Sequence, residues 1–324
     1  EFDISQNNAM INAQAAALAG ISQQYGGLAT YGMGQNAAAG MANYTNQANL
    51  TNSLLGAGVT AGAVSIDPVV QHETIAEIEP LVPRVVSTYF AEHNFSVVTN
   101  PKVSVHVDDA RHFLFTTKDR FDAITSDPLD PWVSGAANLY TKEFYEAARA
   151  HLNPGGSITM YVQLFETTPE AAKTTIATFL EVFPNGTLWG NPYNGRGHDM
   201  VLLGTVEPLR IDLDAMESRV DYRSESVLSQ SLTEVEMNSP IDLFATYAGR
   251  KKDLEPWLAG AAINRDSNLR MEYLAGLGLD RDDSAAIYAD LLKYRHFPED
   301  LFTSAEGRVD SLRRARDSSA RESR

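Results

Sequence analysis

Cysteine is absent from all 324 residues, so disulfides, thiolate nucleophiles and Cys-ligated zinc or iron–sulfur centres are excluded together. That absence fits a reducing compartment. Basic residues are also scarce: 26 Lys and Arg stand against 42 Asp and Glu, a formal charge of −16. A phosphate backbone is bound through a basic face, so no nucleic acid partner is expected, whereas a cationic small molecule is tolerated. No run reaches the roughly 18 to 20 apolar residues that span a bilayer. The first residues lack the basic flank and apolar stretch of a signal peptide. The chain is expected to work in the cytoplasm, away from membranes. Its seven histidines have no paired ligand spacing, and no metal is expected.

Charge is missing from one zone altogether. No Asp, Glu, Lys or Arg occurs between Asp3 and Asp67, and residues 1–50 are largely Ala, Asn, Gln and Gly. Alanine favours helix, but recurrent glycines such as Gly20, Gly26 and Gly40 interrupt it. The zone is expected to be a flexible or weakly helical arm. An assembly segment packing small residues against a partner, and hence a homo-oligomer, is the alternative.

From about residue 51 to 207 short β-rich apolar runs alternate with amphipathic stretches, the pattern of a Rossmann-like α/β domain with helices on both faces of a parallel sheet. Strands are expected at 73–79, 103–107, 121–126, 157–164, 187–191 and 199–204, and helices at 80–92, 110–117, 141–151 and 169–182. Pro154-Gly155-Gly156 reads as a turn between helix and strand. Residues 208–304 carry apolar residues at helical spacing and are expected to form a helical extension. The Arg/Glu/Asp/Ser-rich residues 305–324 read as a tail that frays.

Four acidic or glycine-bearing elements lie where such a sheet presents its strand ends. In LLGAGVTAG (54–62), Gly56 and Gly58 form a Gly-x-Gly turn that lets backbone approach a ligand closely. The run before it, ANLTNS, is polar and poor as a central strand. Glu77 and Glu79 follow roughly 20 residues on, where an acid can accept the hydroxyls of a ribose. In VHVDDARHFL, Asp108 and Asp109 open a helix; either Asp109 caps that helix or it reaches an adenine amino group. In DAITSDPLDPW, a buried strand ends at Asp127, with Asp130 three residues later in a loop held extended by Pro128 and Pro131. Ligands of open α/β sheets bind beyond the carboxyl ends of the strands, so this pair faces a site rather than the core.

These pieces in this order, together with the wider stretch DDARHFL…FDAITSDPLDPWVSGAANLYTKEFY…LNPGG, resemble the spermidine synthase (polyamine aminopropyltransferase) family, above all bacterial synthases of the transporter-fused type. The resemblance covers roughly residues 54–300. It implies an S-adenosylmethionine methyltransferase-type sheet, decarboxylated S-adenosylmethionine as co-substrate without a metal, and putrescine or a similar polyamine as acceptor. The glycine turn and Glu77 would hold the nucleoside, with Asp109 at the adenine and Asp108 beside it among the cofactor-binding residues. Asp127 matches the catalytic acid and Asp130 its diamine-binding neighbour. Where family members carry a β-hairpin region and a first strand, this chain has its charge-free segment.

The chemistry suits the residues independently. A diamine nitrogen must lose a proton to attack the carbon beside a sulfonium, and Asp127 can accept it. Asp130 would hold the dication in line. Tyr140 and Gln163 either line the same pocket or are packing residues. Trp132 is expected over the loop, and Trp189 and Trp257 in packing. Methyl transfer from S-adenosylmethionine is a second reading. A third is a degenerate, non-catalytic nucleotide-binding or assembly module.

Overall fold

The structure is a computed structural model that describes residues 28–33, 61–62, 64–91, 94–126, 131, 133, 135–191, 197, 199–219, 237–279 and 281–322. Gly56, Gly58, Asp127, Asp130 and Trp132 lie outside the described residues.

An eight-stranded sheet runs in the order β3-β2-β1-β4-β5-β7-β6-β9. Its members are β1 (Leu28–Met33), β2 (Glu73–Glu77), β3 (Val103–Val107), β4 (Phe121–Ser126), β5 (Leu152–Gln163), β6 (Thr187–Asn191), β7 (Asp199–Thr205) and β9 (Tyr247–Arg250). Strands β1 to β5 are mutually parallel, and β7 then enters antiparallel between β5 and β6. The chain steps outward from β1 through β2 to β3 and returns to the other side of β1 with β4. The β1/β4 junction is therefore the switch point of the sheet, where open α/β folds bind ligands.

Side-chain alternation puts both faces under cover. On β6 and β7, Leu188, Met200 and Leu202 enter one core with Phe179 and Phe183. Their neighbours Trp189, Val201 and Leu203 enter the other core with Phe244 and Phe302. Trp189 is fully buried and meets Phe244 and Tyr247 edge-on, at 5.7 and 5.6 Å between ring centroids. Trp257 is buried too and donates to Asp290 at 2.9 Å.

The helices start where local chemistry allows. The helix Pro169–Val182 has Pro169 in its first turn, and the Thr168 hydroxyl accepts from Ala171 N–H at 3.2 Å. Thr141 caps Lys142–Ala150 in the same way through Phe144 N–H. Gly62 sits in a short helical stretch pressed against the loop at Asn94. A Cβ there would come within 2.2 Å of the Asn94 carbonyl oxygen, so the third glycine of the sequence motif is a packing requirement.

Four elements depart from the sequence expectation. The central strand position is filled by Leu28–Met33, inside the segment expected to be an arm, which pairs with both β2 and β4. Strand β5 begins at Leu152 and passes through Pro154-Gly155-Gly156, with the irregularity absorbed between Phe121 and Ala123 of β4. The extension is not wholly helical. The run 240–258 is split into the helix Pro240–Ala245, strand β9 and the helix Lys251–Leu258, because Tyr247 and Ala248 are drawn into the two cores as β9 pairs with β6. A two-stranded ribbon of β8 (Ile211–Asp212) and β10 (Phe302–Thr303) adds to it. Within the expected fraying tail, Arg308–Glu322 is helical. Leu312 is buried, and the Arg313 and Arg316 guanidinium groups lie 4.6 and 5.0 Å from the Phe297 ring.

Candidate active site

The parallel strands place their carboxyl ends along one edge. Register aligns Glu77 with Met33 of β1 and Val107 of β3, while Ser126, the residue before Asp127, lies opposite Tyr31 of β1 and Met160 of β5. Glu77 thus stands two strands from the start of the Asp127 loop, about 10 Å at the usual interstrand spacing.

Glu77 is fully buried. Its Oε1 accepts the Glu79 N–H at 2.8 Å, and its Oε2 has no hydrogen-bond partner among the described residues. Burial pushes its pKa from 4.5 up to about 8, an effect that the neighbouring Glu79 carboxylate reinforces and the backbone N–H groups of Glu79 and Ile78 oppose. A buried, unsatisfied acceptor at a strand end is costly in the free protein and suited to a hydroxyl donor. Glu79 itself turns outward and accepts the Leu81 N–H at 3.0 Å.

Asp109 is the N-cap of the helix Ala110–Thr116 and accepts the His112 N–H through Oδ1 at 2.8 Å. Asp108, whose own N–H donates to the Glu77 carbonyl at 3.0 Å, holds the His112 ring at 2.9 Å. The capping reading of Asp109 is therefore realised. It leaves the second carboxylate oxygen outside that bond.

Tyr140 and Gln163 come together at the same edge. Both are buried, and with Pro131, Val162, Thr167, Ala172, Thr175 and Met271 they line a small pocket of about 10 Å3, room for about one water. Gln163 closes β5; its Nε2 donates to the Phe165 carbonyl at 2.9 Å, while the buried Oε1 has no hydrogen-bond partner among the described residues. Pro131 directly follows Asp130 in the sequence. The pocket therefore sets the free Gln163 Oε1 among polar and apolar side chains in about equal number, with Pro131 at its wall.

Residues 56–188 match the spermine/spermidine synthase domain. Over that span the chain is similar to the spermidine synthase family. The polyamine aminopropyltransferase of Saccharolobus islandicus is 30% identical over 180 residues, which is 52% of this chain and 56% of that protein. The chain thus spans little more than half the length of that relative. The spermidine synthase of Thermotoga maritima shares the fold with a TM-score of 0.50 at 16% identity, over 71% of this chain and 75% of that one. A spermidine synthase crystallised with the transition-state analogue AdoDATO does so with a TM-score of 0.52 at 15% identity, over 71% and 76%. The Rossmann-like α/β fold expected from sequence is the one these structures share with the chain. Among the described residues no group of His, Asp and Glu is arranged to hold a metal ion, and no helix is long and apolar enough to cross a membrane.

Beyond the matched stretch, Met271 lines the pocket with no signal in the sequence: it comes from the extension, where its N–H donates to the buried Asn264 side chain, and nothing in its local pattern relates it to a strand edge more than 100 positions earlier.

Proposed function

We propose that the chain transfers an aminopropyl group from decarboxylated S-adenosylmethionine to putrescine or a similar diamine. The observation that carries this reading is Glu77: a buried carboxylate with an unsatisfied Oε2, at the strand end where a spermidine synthase family sequence would bind ribose. Its two oxygens offer acceptors for the ribose hydroxyls, and Asp109 is the proposed adenine partner. Gly56 and Gly58 would bring backbone N–H groups to the same nucleoside.

In the reaction, the neutral amine nitrogen of the acceptor attacks the methylene carbon attached to the sulfonium. A new C–N bond forms as the C–S bond breaks, and the electron pair leaves on a neutral thioether. The proton shed by the attacking nitrogen goes to Asp127. No charge needs stabilising on the leaving group, so alignment and proton removal are the chain's main contributions. Asp130 is assigned to the cationic acceptor, with the Gln163 Oε1 and Tyr140 beside it. The chain's acidity suits two cationic substrates.

Calorimetric titration with decarboxylated S-adenosylmethionine and with S-adenosylmethionine, followed by a putrescine turnover assay, tests the reading. Preference for the decarboxylated form together with spermidine production is expected. Binding of S-adenosylmethionine in preference, or absence of spermidine, would overturn it.

A further inference from the structure

The sheet ends on β3 at one side and β9 at the other. Unpaired main-chain groups at such an edge invite another strand, and charge, proline or a bulge normally blunts them. At the β9 edge the Arg295 guanidinium donates to the Tyr247 carbonyl at 3.2 Å, and Arg250 is paired with Asp253 and Asp300 at 3.5 and 2.7 Å. Strand β3 carries none of these devices. Its sequence, VSVHV, holds no proline, lysine or acid, and its register with β2 is unbroken.

The inner side of β3 fixes the phase of its outer side. Glu73 N–H donates to the Lys102 carbonyl and Asp108 N–H to the Glu77 carbonyl, both at 3.0 Å. Alternation then turns the polar backbone groups of Ser104 and His106 toward β2 and those of Val103, Val105 and Val107 outward. The Val103 N–H donates to the Asn100 carbonyl at 2.9 Å, and the other outward groups meet no partner among the described residues. Apolar cover is incomplete as well: Val107 is 57% exposed, and Val103 and Val105 are half-buried against Ile75, Val82 and Val97.

The pattern is its own complement. When two copies pair antiparallel about Val105, Lys102 falls opposite Asp108, Val103 opposite Val107 and Ser104 opposite His106. The valine pairs are the hydrogen-bonded ones: Val105 exchanges both bonds with its own copy, and each Val107 N–H meets a Val103 carbonyl. Lys102 and Asp108 form a non-hydrogen-bonded pair at either end of the junction, on one face, with Cβ atoms about 5 Å apart. In the single chain the Lys102 ammonium donates to the Asp67 carbonyl at 3.0 Å and Asp108 holds His112 at 2.9 Å, which leaves the ammonium donors to spare.

We infer that β3 pairs with β3 of a second copy about a two-fold axis at Val105, joining two sheets into one and setting the lysine of each copy beside Asp108 of the other. The inference goes beyond the aminopropyl-transfer reading and does not depend on it.

The chain has no cysteine, so one introduced thiol reports the axis. In the pairing the two Val105 Cα atoms stand about 5.5 Å apart, within disulfide reach, whereas Ser104 meets its own copy only diagonally, beyond that reach. Val105→Cys is expected to give a disulfide-linked dimer under mild oxidation at least about tenfold faster than Ser104→Cys. Sedimentation of the unaltered chain should show its mass rising from monomer to dimer with concentration. Lys102→Glu and Asp108→Lys should each weaken that dimer by about tenfold or more, because both junction pairs become like-charged. Mixing the two variants should restore it, since each mixed pair is again opposite in sign, and a folding defect cannot produce that rescue. A monomer at every concentration, equal cross-linking rates, or a mixture no tighter than either variant overturns the inference. So does a monomer whose Val105 and Val107 amides resist hydrogen exchange, which would assign the edge to another segment of the same chain.

Discussion

Replacing Glu77 by Gln separates what this side chain does for the fold from what it does for the ligand. In the unfolded chain the carboxyl titrates near 4.5, and in the folded protein burial pushes it up to about 8. Between these values the folded state binds more protons than the unfolded state, so the sign is fixed: Glu77 makes stability fall as pH rises from about 4.5 to about 8. At about 1.4 kcal/mol per pH unit, the full interval corresponds to at most about 5 kcal/mol. Gln keeps an acceptor for the Glu79 N–H but carries no charge to desolvate. Urea unfolding should therefore give nearly equal midpoints for wild type and Glu77→Gln near pH 5. Near pH 8 the variant should be the more stable by up to a few kcal/mol, with the difference between the proteins isolating Glu77 from the histidines. The same variant should bind decarboxylated S-adenosylmethionine roughly 10- to 100-fold more weakly, since charge-assisted hydrogen bonds contribute about 1.5 to 3 kcal/mol. A Glu77→Gln protein less stable than wild type near pH 8, with an unaltered pH slope, would refute the claim that this carboxylate is buried without adequate partners.

Four further outcomes are expected. Asp127→Asn should lower kcat by about 10²- to 10⁴-fold, the usual range for loss of a general base, while calorimetry finds nucleoside binding within a few-fold of wild type. Asn264→Ala removes the bonds to Ala137 and Met271 and strands a buried carbonyl and N–H; denaturant titration should register a loss of roughly 2 to 5 kcal/mol. Gly62→Ala drives a Cβ into the Asn94 carbonyl and should cost about 1 to 3 kcal/mol in the same assay, whereas an unchanged midpoint would mean that the helix–loop contact is looser than described. Phe297→Ala deletes the ring under Arg313 and Arg316, and limited proteolysis should then cut more readily within 308–322.

What could be read directly from the amino-acid order was local or periodic. The runs 103–107, 121–126 and 187–191 are strands at the expected bounds, and 169–182 is a helix at the expected bounds, because in each the apolar period, the flanking turn residues and the cap agree. The acidic positions at strand ends followed from the same pattern: once the sheet is parallel, Glu77, Asp108 and Asp109 must share its carboxyl edge. That Tyr140 and Gln163 are both pocket residues and packed ones, rather than one or the other, needed the fold. Burial and orientation are not functions of sequence spacing.

Tertiary structure decided the rest. No local signal marks LATYGM as the central strand, and its position comes from pairing with β2 and β4 on either side. Tyr247–Arg250 lies in a run with helical spacing yet extends the sheet, since pairing with β6 and burial against Trp189 outweigh a weak local preference. The tail helix forms on the ring of Phe297 and the buried Leu312 instead of remaining a charged fray. Met271 reaches the pocket only after the extension has folded back on the sheet. By itself the sequence determined the parallel strands of the sheet's first half and the acids at their carboxyl ends, because those depend on short-range periodicity, while the antiparallel entry of β7, β6 and β9 was not legible in it. Which side chains close the pocket was decided by packing between segments far apart in the chain, where hydrogen-bond satisfaction and apolar burial are properties of the assembled fold.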